Sequence, residues 1–276
     1  MFVQILLIGL FSGLFGAMIG SGGGVFLIPL LTLLLGLPIR AAIGASIIAV
    51  IATSTASAIA YVGDELTNIR LGMTLELSTT VGAVLGGVTA AYLGKNLLAG
   101  LFALSMAPTV ISLWRRKEDA PVPAGAQADG PPGPLDASFY DPRLGHAVEY
   151  RVKRLPVGMV VAFLAGNISG LLGIGGGAIK VPAMTLGMGV PIKAAAATSN
   201  FMIGVTAVAS AYIYYSRGDI NPLIAVPTAI GVTIGALAGS RIGPRLRSKQ
   251  LARMFAGVMA ILALQMALSA VGIGFR

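Results

Sequence analysis

The sequence predicts an all-α polytopic membrane protein built from two inverted repeats, with helices broken at glycine-rich motifs. Three observations predict this fold. First, the chain of 276 residues is 56% hydrophobic and 11% charged, with a mean hydropathy of +0.88, whereas soluble domains contain about 25% charged residues. Second, apolar segments, most of them of membrane-spanning length, alternate with polar connections. Third, one glycine-rich motif occurs in each half of the chain.

This motif marks an internal repeat. It reads GSGGGVFLIP at Gly20–Pro29 and GIGGGAIKVP at Gly173–Pro182, an offset of 153 residues. With this offset, about 14 of the 34 residues from Gly13 to Ser46 are identical in the two halves. A later match, which needs a small gap, aligns Gly82 with Gly231. The chain is therefore a duplicated membrane unit, and duplicated units are typical of transporters.

The apolar segments follow the same order in both halves. In the first half they cover about 2–19, 25–37, 41–62, 71–92 and 97–114. In the second half they cover about 157–172, 177–190, 194–215, 221–242 and 251–274. A helix needs about 20 residues to span the hydrocarbon core, so the segments at 25–37 and 177–190 are too short. We expect each to be a short tilted helix, or one arm of a re-entrant hairpin that turns at the glycine run.

These segments define a first membrane repeat at 1–114 and a second at 157–276, separated by a polar linker at 115–156. The linker contains many proline, glycine and charged residues, and we expect part of it, mainly 121–134, to be disordered. Basic residues bracket it, which places it in the cytoplasm by the positive-inside rule. They are Arg115, Arg116, Lys117, Arg151, Lys153 and Arg154. We therefore expect an integral protein of a bacterial-type inner membrane.

A second basic cluster predicts how the repeats are oriented. It lies between the last two segments and comprises Arg241, Arg245, Arg247, Lys249 and Arg253. If this cluster shares the cytoplasm with the linker, the chain crosses the membrane an even number of times between the two basic regions. Each half then makes an odd number of crossings. The two repeats are therefore expected to have opposite orientations in the membrane.

The composition excludes several kinds of site. The sequence has no cysteine and one histidine, His146 in the linker, which removes disulfides, thiolate chemistry and a Cys/His zinc site. The apolar segments contain no paired carboxylates and no His/Asp pair, so we expect neither an enzyme nor a bound metal or cofactor. The glycine runs lack the ending of a phosphate loop. The formal charge of +9 lies at segment ends, which indicates membrane orientation rather than nucleic-acid binding.

The two glycine runs are the candidate substrate-binding sites. Glycine allows the backbone to leave helical geometry, and inside a bilayer the freed N–H groups must face protein or a water-filled cavity. A helix that starts after the run directs its N–H groups and its positive dipole end at that cavity, which suits an anion. The alternative is that the glycines only permit close helix packing. The residues concerned are Gly22, Gly23, Gly24, Gly175, Gly176 and Gly177.

Five polar residues in the apolar segments are further candidates. Lys180 follows the second glycine run, where it could attract an anionic substrate or could extend to the membrane interface. Ser46, Ser199 and Asn200 begin the third segment of each half and could donate hydrogen bonds to an oxyanion. Glu76 lies near the start of a segment, and we expect it at an interface, with proton coupling as the alternative.

The paired glycine motifs, each followed by proline, and the Pro-Ile-Arg/Lys-Ala-Ala steps at Pro38 and Pro191 resemble the TauE/SafE family of sulfite exporters. The resemblance covers nearly the whole chain apart from the linker. It implies an inner-membrane permease that moves sulfite, organosulfonates or related sulfur oxyanions. The residues themselves indicate a duplicated membrane protein suited to an anion, and the sulfur chemistry comes from the resemblance.

The sequence therefore predicts a secondary transporter of small sulfur-containing oxyanions, in which two halves rock about a site between the glycine runs. Two alternatives stay open. One is an anion channel with the same helix-terminus site, and the other is a non-transporting membrane scaffold in which the glycines serve packing alone. The expected partners are a small anion and the lipid bilayer, with the oligomeric state unspecified.

Overall fold

Helices make up most of the protein in this computed structural model, which describes residues 1–63, 65–114, 133–141, 145–242 and 248–271. The first repeat contains α1 (Phe2–Ile19), α2 (Gly24–Leu35), α3 (Ile39–Gly63), α4 (Ile69–Ala90) and α5 (Lys95–Trp114). The linker contributes β1 (Ala137–Asp141) and β2 (His146–Tyr150). The second repeat contains α6 (Leu155–Leu172), α7 (Gly177–Pro182), α8 (Ile192–Ser216), α9 (Pro222–Ile242) and α10 (Ser248–Ala270).

Six of the described helices are long and apolar enough to cross a membrane, namely α1, α3, α4, α6, α8 and α9. The predicted all-α polytopic membrane fold is therefore confirmed. The helix after each glycine run is short, also as predicted. α2 has 12 residues, about 18 Å at 1.5 Å per residue, and α7 has 6 residues before a π-helical turn at Ala183–Gly187. Neither helix can span a hydrocarbon core of about 30 Å.

Equivalent helices of the two repeats run in opposite directions. Near the start of α3, a Cβ added to Gly44 would lie 2.4 Å from the main-chain oxygen of Asp219, which follows the end of α8. Further along α3, the Ser54 hydroxyl donates a hydrogen bond of 2.5 Å to the main-chain oxygen of Asn200, near the start of α8. The two helices are therefore antiparallel. Because α3 and α8 are equivalent in the repeat alignment, the repeats are inverted.

Each repeat packs its first helix against the other repeat. α1 lies along α9, and the equivalent pair, α6 and α4, repeats this arrangement. Glycines bring these pairs together, since a Cβ added to Gly235 would lie 2.1 Å from the main-chain oxygen of Leu10, and one added to Gly86 would lie 2.0 Å from that of Asn167. α3 packs on α9 and α8 packs on α4. The result is two bundles of mixed origin, which we call bundle A (α1, α3 and α9) and bundle B (α4, α6 and α8).

The linker forms a β-hairpin that the sequence analysis missed. β1 and β2 are antiparallel, with Phe139 opposite Val148, and both side chains belong to a buried apolar cluster with residues of α4, α8 and the turn after α7. Asn68 joins the linker to α4. Its side-chain oxygen accepts a hydrogen bond from Leu71 N at the start of α4 (3.0 Å), and its side-chain nitrogen donates to Leu135 O just before β1 (2.8 Å). Of the stretch 121–134, where disorder was predicted, residues 121–132 lie outside the described residues.

Candidate functional site

The two glycine runs meet between bundles A and B. Gly22 and Gly175 have φ angles of +76° and +80°, in the left-handed region that glycine adopts without strain. A Cβ added to Gly22 would lie 3.1 Å from Ile203 and 3.3 Å from Val50, and one added to Gly175 would lie 2.8 Å and 3.1 Å from the same two side chains. Val50 and Ile203 are equivalent residues of α3 and α8, so both runs contact one symmetric pair of side chains.

One serine connects each glycine run to the opposite repeat. The Ser46 hydroxyl donates to the main-chain oxygen of Gly173 at 2.8 Å, and the Ser199 hydroxyl donates to that of Gly20 at 3.1 Å. Both serine side chains are fully buried. A hydroxyl has one hydrogen to donate, so in this conformation the two serines among the three predicted oxyanion donors are engaged by main-chain carbonyl groups.

The start of each short helix is enclosed by protein in this conformation. α2 and α7 begin after Gly23 and Gly176, which have no side chain to accept from the first-turn N–H groups. A Cβ added to Gly24 would lie 2.6 Å from Ser46 Oγ, and one added to Gly177 would lie 2.0 Å from the main-chain oxygen of Gly20. The predicted glycine residues therefore lie together at the contact between the repeats, all of them buried.

Several buried polar atoms around the glycine runs have unused hydrogen-bonding capacity. Asn200 donates from Nδ2 to the main-chain oxygen of Ala17 at 3.1 Å, while its Oδ1 has no hydrogen-bond partner among the described residues. The same holds for the hydroxyls of Ser21, within the first run, and Ser12, whose main-chain oxygen would lie 2.7 Å from a Cβ on Gly23. Because buried polar groups are normally paired, this surplus distinguishes the region from ordinary helix packing.

A buried ion pair lies beside the second glycine run. Lys180 Nζ is 3.7 Å from Glu76 Oε2, and the two side chains are 1% and 5% exposed. Thr206 bridges them, because its hydroxyl accepts from Lys180 Nζ at 3.1 Å and donates to Glu76 Oε1 at 2.5 Å. Thr80 also donates to Glu76 Oε1, at 3.1 Å. The cluster thus joins α4, α7 and α8 in the interior of the protein.

The ion pair breaks the symmetry of the two repeats. In the first repeat, the residue equivalent to Lys180 is Leu27, and the alignment of Gly82 with Gly231 makes Ala225 equivalent to Glu76. Both of these apolar side chains are buried. In contrast, the stem of Lys180 lies against its own glycine run, because its Cε would be 3.4 Å from a Cβ on Gly176. Among the described residues, a charged side chain therefore lies beside the second glycine run and none lies at the equivalent position of the first.

This arrangement corrects two expectations. The expectation that Glu76 lies at an interface is wrong, because the residue is 4% exposed and paired with a cation. The alternative in which Lys180 extends to the membrane interface is also wrong, because it is 2% exposed. Sequence reasoning missed their partnership, although each is the single charged residue in the middle of an apolar stretch. Such residues usually need a partner inside a membrane protein. That rule could have predicted that Glu76 and Lys180 pair with each other.

A model of one protein family, described as "Sulfite exporter TauE/SafE", matches residues 5–266. The chain belongs to the TauE/SafE family. The predicted resemblance is therefore confirmed. The match includes both glycine runs, Glu76 and Lys180.

Curated relatives in this family are described as membrane transporters. The chain is 26% identical over 272 residues to "Probable membrane transporter protein YunE" of Bacillus subtilis, covering 96% of this chain and 97% of that protein. It is 22% identical over 279 residues to "Probable membrane transporter protein MJ0441" of Methanocaldococcus jannaschii, covering 96% and 94%. A shorter match, 31% identical over 122 residues, covers 43% of this chain and 28% of "Sulfite exporter TauE/SafE family protein 6" of Arabidopsis thaliana. No solved structure matches the chain. This TauE/SafE protein is accordingly a membrane transporter.

Proposed function

We propose that this protein is a secondary carrier of small sulfur-containing oxyanions, such as sulfite or organosulfonates. One observation carries the proposal. Lys180 is a buried lysine beside a glycine run, in a transporter whose family is described by sulfite export. A buried ammonium is costly inside a membrane protein and usually has a function. An oxyanion is the class of ligand that an ammonium and exposed N–H groups recognise.

The proposed binding site lies between the two glycine runs and extends to Lys180. It comprises Gly22, Gly23, Gly24, Gly175, Gly176, Gly177, Lys180, Ser46, Ser199 and Asn200. The helix starts supply N–H groups and a positive dipole end, the lysine supplies charge, and the serines and the asparagine supply donors. These donors become available to an anion when the two runs separate, since the serine hydroxyls then leave the carbonyl groups that they now contact.

Alternating access would follow from movement of bundle A against bundle B. Because each bundle contains helices of both repeats, the moving units would not be the N-terminal and C-terminal halves of the chain. The contact between α3 and α8, with Val50 and Ile203 at the glycine runs, would act as the central barrier. This movement would expose the site to one side of the membrane and then to the other.

Glu76 is the proposed proton-coupling residue, because it is a carboxylate in direct electrostatic contact with Lys180. We place the protein in a bacterial-type inner membrane with the linker on the cytoplasmic side, on the basis of the basic residues that bracket the linker. The hairpin would then cover the cytoplasmic end of bundle B.

Uptake of radiolabelled sulfite into proteoliposomes tests this function. We expect saturable uptake that is accelerated by unlabelled sulfite inside the vesicles. Lys180→Met should lower the initial rate by at least about tenfold, as expected for loss of a charged hydrogen-bond donor. Lys95→Met is the matched control, because it removes the same group from an exposed position, and it should transport like the wild type.

Other outcomes would select the alternatives. Sulfite flux without acceleration by internal sulfite would identify an anion channel instead of a carrier. Folded wild-type protein that moves neither sulfite nor methanesulfonate above the level of empty vesicles would contradict the transport of sulfur oxyanions.

A further inference from the structure

We propose that, in the anion-free protein, the Glu76 carboxylate occupies the position beside Lys180 where the substrate anion binds. The carrier would therefore bind one proton, on Glu76, together with each anion. This inference rests on the proposed function and adds the co-substrate and its stoichiometry. In the anion-free protein, Lys180 is neutralised by Glu76. When a proton binds to Glu76, the lysine charge becomes available to a substrate oxyanion.

The charges at the site favour this exchange of carboxylate for anion. Lys180 and Glu76 are both almost completely buried and 3.7 Å apart. An anion that entered beside this intact pair would place a second negative charge near one ammonium, in a region where water cannot screen it. Protonation of the carboxylate removes that repulsion. The site can then hold the anion and keep the same net charge as before.

The hydrogen bonds favour the same exchange. Glu76 Oε1 accepts from Thr206 and Thr80, whereas Oε2 has no hydrogen-bond partner among the described residues and faces the ammonium. Oε2 is thus the free position for a proton. Once protonated, it becomes a donor. An oxyanion between Oε2 and Lys180 Nζ would then receive hydrogen bonds from both groups. In this structure, by contrast, the ion pair has no direct hydrogen bond at Oε2.

The surroundings assign the proton to Glu76. The charged group that faces its carboxylate is Lys180 on α7, while α8 presents the uncharged Thr206 and α4 itself presents Thr80. α6, which packs along α4, contains no ionisable residue. At the symmetry-related positions, Leu27 of the first repeat matches Lys180 and Ala225 of the second repeat matches Glu76, so these positions supply no second exchangeable carboxylate. One proton per anion follows from this single pair.

The net charge that moves with each anion tests the inference. Proteoliposomes with a potassium gradient and valinomycin allow the membrane potential to be set independently of the pH gradient. Methanesulfonate is the first probe, because it stays a monovalent anion across the useful pH range, and sulfite is the second. Wild-type uptake of methanesulfonate should rise as the external solution is made more acidic. It should be insensitive to the potential, and a pH dye inside the vesicles should record one proton entering per anion.

Glu76→Gln removes the exchangeable proton. This variant should move one more negative charge per anion than the wild type, whichever of the two anions is carried. Its accumulation of methanesulfonate should be independent of pH and should change about tenfold for every 60 mV of potential. Glu149→Gln, on an exposed residue of β2, is the matched control and should behave like the wild type.

The outcomes separate the two proposals. Wild-type uptake that is driven by the potential, with no proton entering, would overturn proton co-binding and leave anion transport intact. Equal charge movement by the wild type and Glu76→Gln would also overturn it. If Glu76→Gln fails to fold, the proton count of the wild type decides alone. Absence of uptake of both anions by folded wild-type protein would overturn the transport proposal and this inference with it.

Discussion

Ser46 on α3 donates a hydrogen bond to the main-chain oxygen of Gly173, in the glycine run of the opposite repeat. Ser199 makes the equivalent bond to Gly20. Each run is therefore held by a side chain that belongs to the other half of the sequence. Any separation of the runs must break both bonds. Substitution of either serine therefore measures how much these bonds stabilise the contact between the runs.

Ser199→Ala should destabilise the protein. The substitution leaves the buried main-chain oxygen of Gly20 without the Ser199 donor, and an unsatisfied buried acceptor costs about 1–3 kcal/mol. A lower midpoint of thermal unfolding in detergent would show this effect. Ser216→Ala is the control, because that exposed hydroxyl bonds within its own helix, and its effect should stay within about 0.5 kcal/mol. Equal midpoints for the two variants would contradict a structural role for the Ser199 bond.

Gly176→Ala should reduce stability more than Gly218→Ala. Both glycines have left-handed φ angles, +71° and +73°, and an alanine in that conformation costs about 1–2 kcal/mol. Gly218 has open space around it, whereas a Cβ on Gly176 would lie 2.9 Å from the main-chain oxygen of Ala165. The difference in unfolding midpoint between the two variants therefore measures the contribution of close packing at Gly176.

The same pair of variants separates transport from packing. We expect sulfite to raise the unfolding midpoint of the wild type and of Gly218→Ala but not that of Gly176→Ala. If sulfite raises the midpoint of Gly176→Ala as much as that of the wild type, the second glycine run has no part in binding and its glycines serve packing alone.

Replacing the ion pair by the apolar residues of the symmetry-related positions should preserve the fold and abolish transport. Lys180→Leu with Glu76→Ala introduces the residues found at the equivalent positions, Leu27 and Ala225. Each single change leaves one buried charge without its partner, at a cost of about 3–5 kcal/mol, whereas joint replacement by apolar residues is often close to neutral. Unfolding midpoints and sulfite uptake of the three variants provide the measurement. A double variant that still transports would remove the ion pair from the mechanism.

Cysteine labelling should confirm the opposite orientation of the repeats in a membrane. The chain has no natural cysteine, so single introduced cysteines report on their own positions. Glu65→Cys lies before α4, on the side where Asn68 contacts the linker. α8 runs parallel to α4, because Thr198 near its start contacts Asn68 and Ile213 near its end lies beside Gly87. Ser216→Cys, at the end of α8, therefore lies at the opposite end of the molecule. A membrane-impermeant maleimide added to intact cells should label Ser216→Cys and should label Glu65→Cys only after lysis. Labelling of both residues from the same side would contradict the inverted arrangement.

Asp136→Ala should loosen the hairpin. The carboxylate of Asp136 accepts from Gly133 N at 2.7 Å and from Val152 N at 2.9 Å, and it lies 3.8 Å from Arg151 Nε. Hydrogen exchange of the amides in β1 and β2 should become faster in this variant. Glu149→Ala, an exposed change on β2, should leave the exchange rates close to those of the wild type.

The sequence predicted those features that depend on local composition or on the duplication. Apolar length predicted the spanning helices, and the glycine runs predicted the short helices that follow them. The partnership of Glu76 with Lys180 depends on the packing of α4 beside helices of the second repeat, which is a tertiary relationship that no spacing within either segment reveals. The hairpin was missed because proline, glycine and charge dominate the linker, whereas its fixed position depends on a few contacts such as Phe139 with the apolar cluster beneath it.

The hairpin also makes the two ends of the molecule structurally different. Inverted repeats by themselves would give the two ends of a carrier similar surfaces. The hairpin is attached at the linker end through Asn68 and the cluster around Phe139, and the described residues of that cluster include members of bundle B and of the turn after α7 but none of bundle A. Under the alternating-access proposal, the hairpin would stay with bundle B while bundle A moves, and anions arriving from the two sides of the membrane would approach the site past different surfaces.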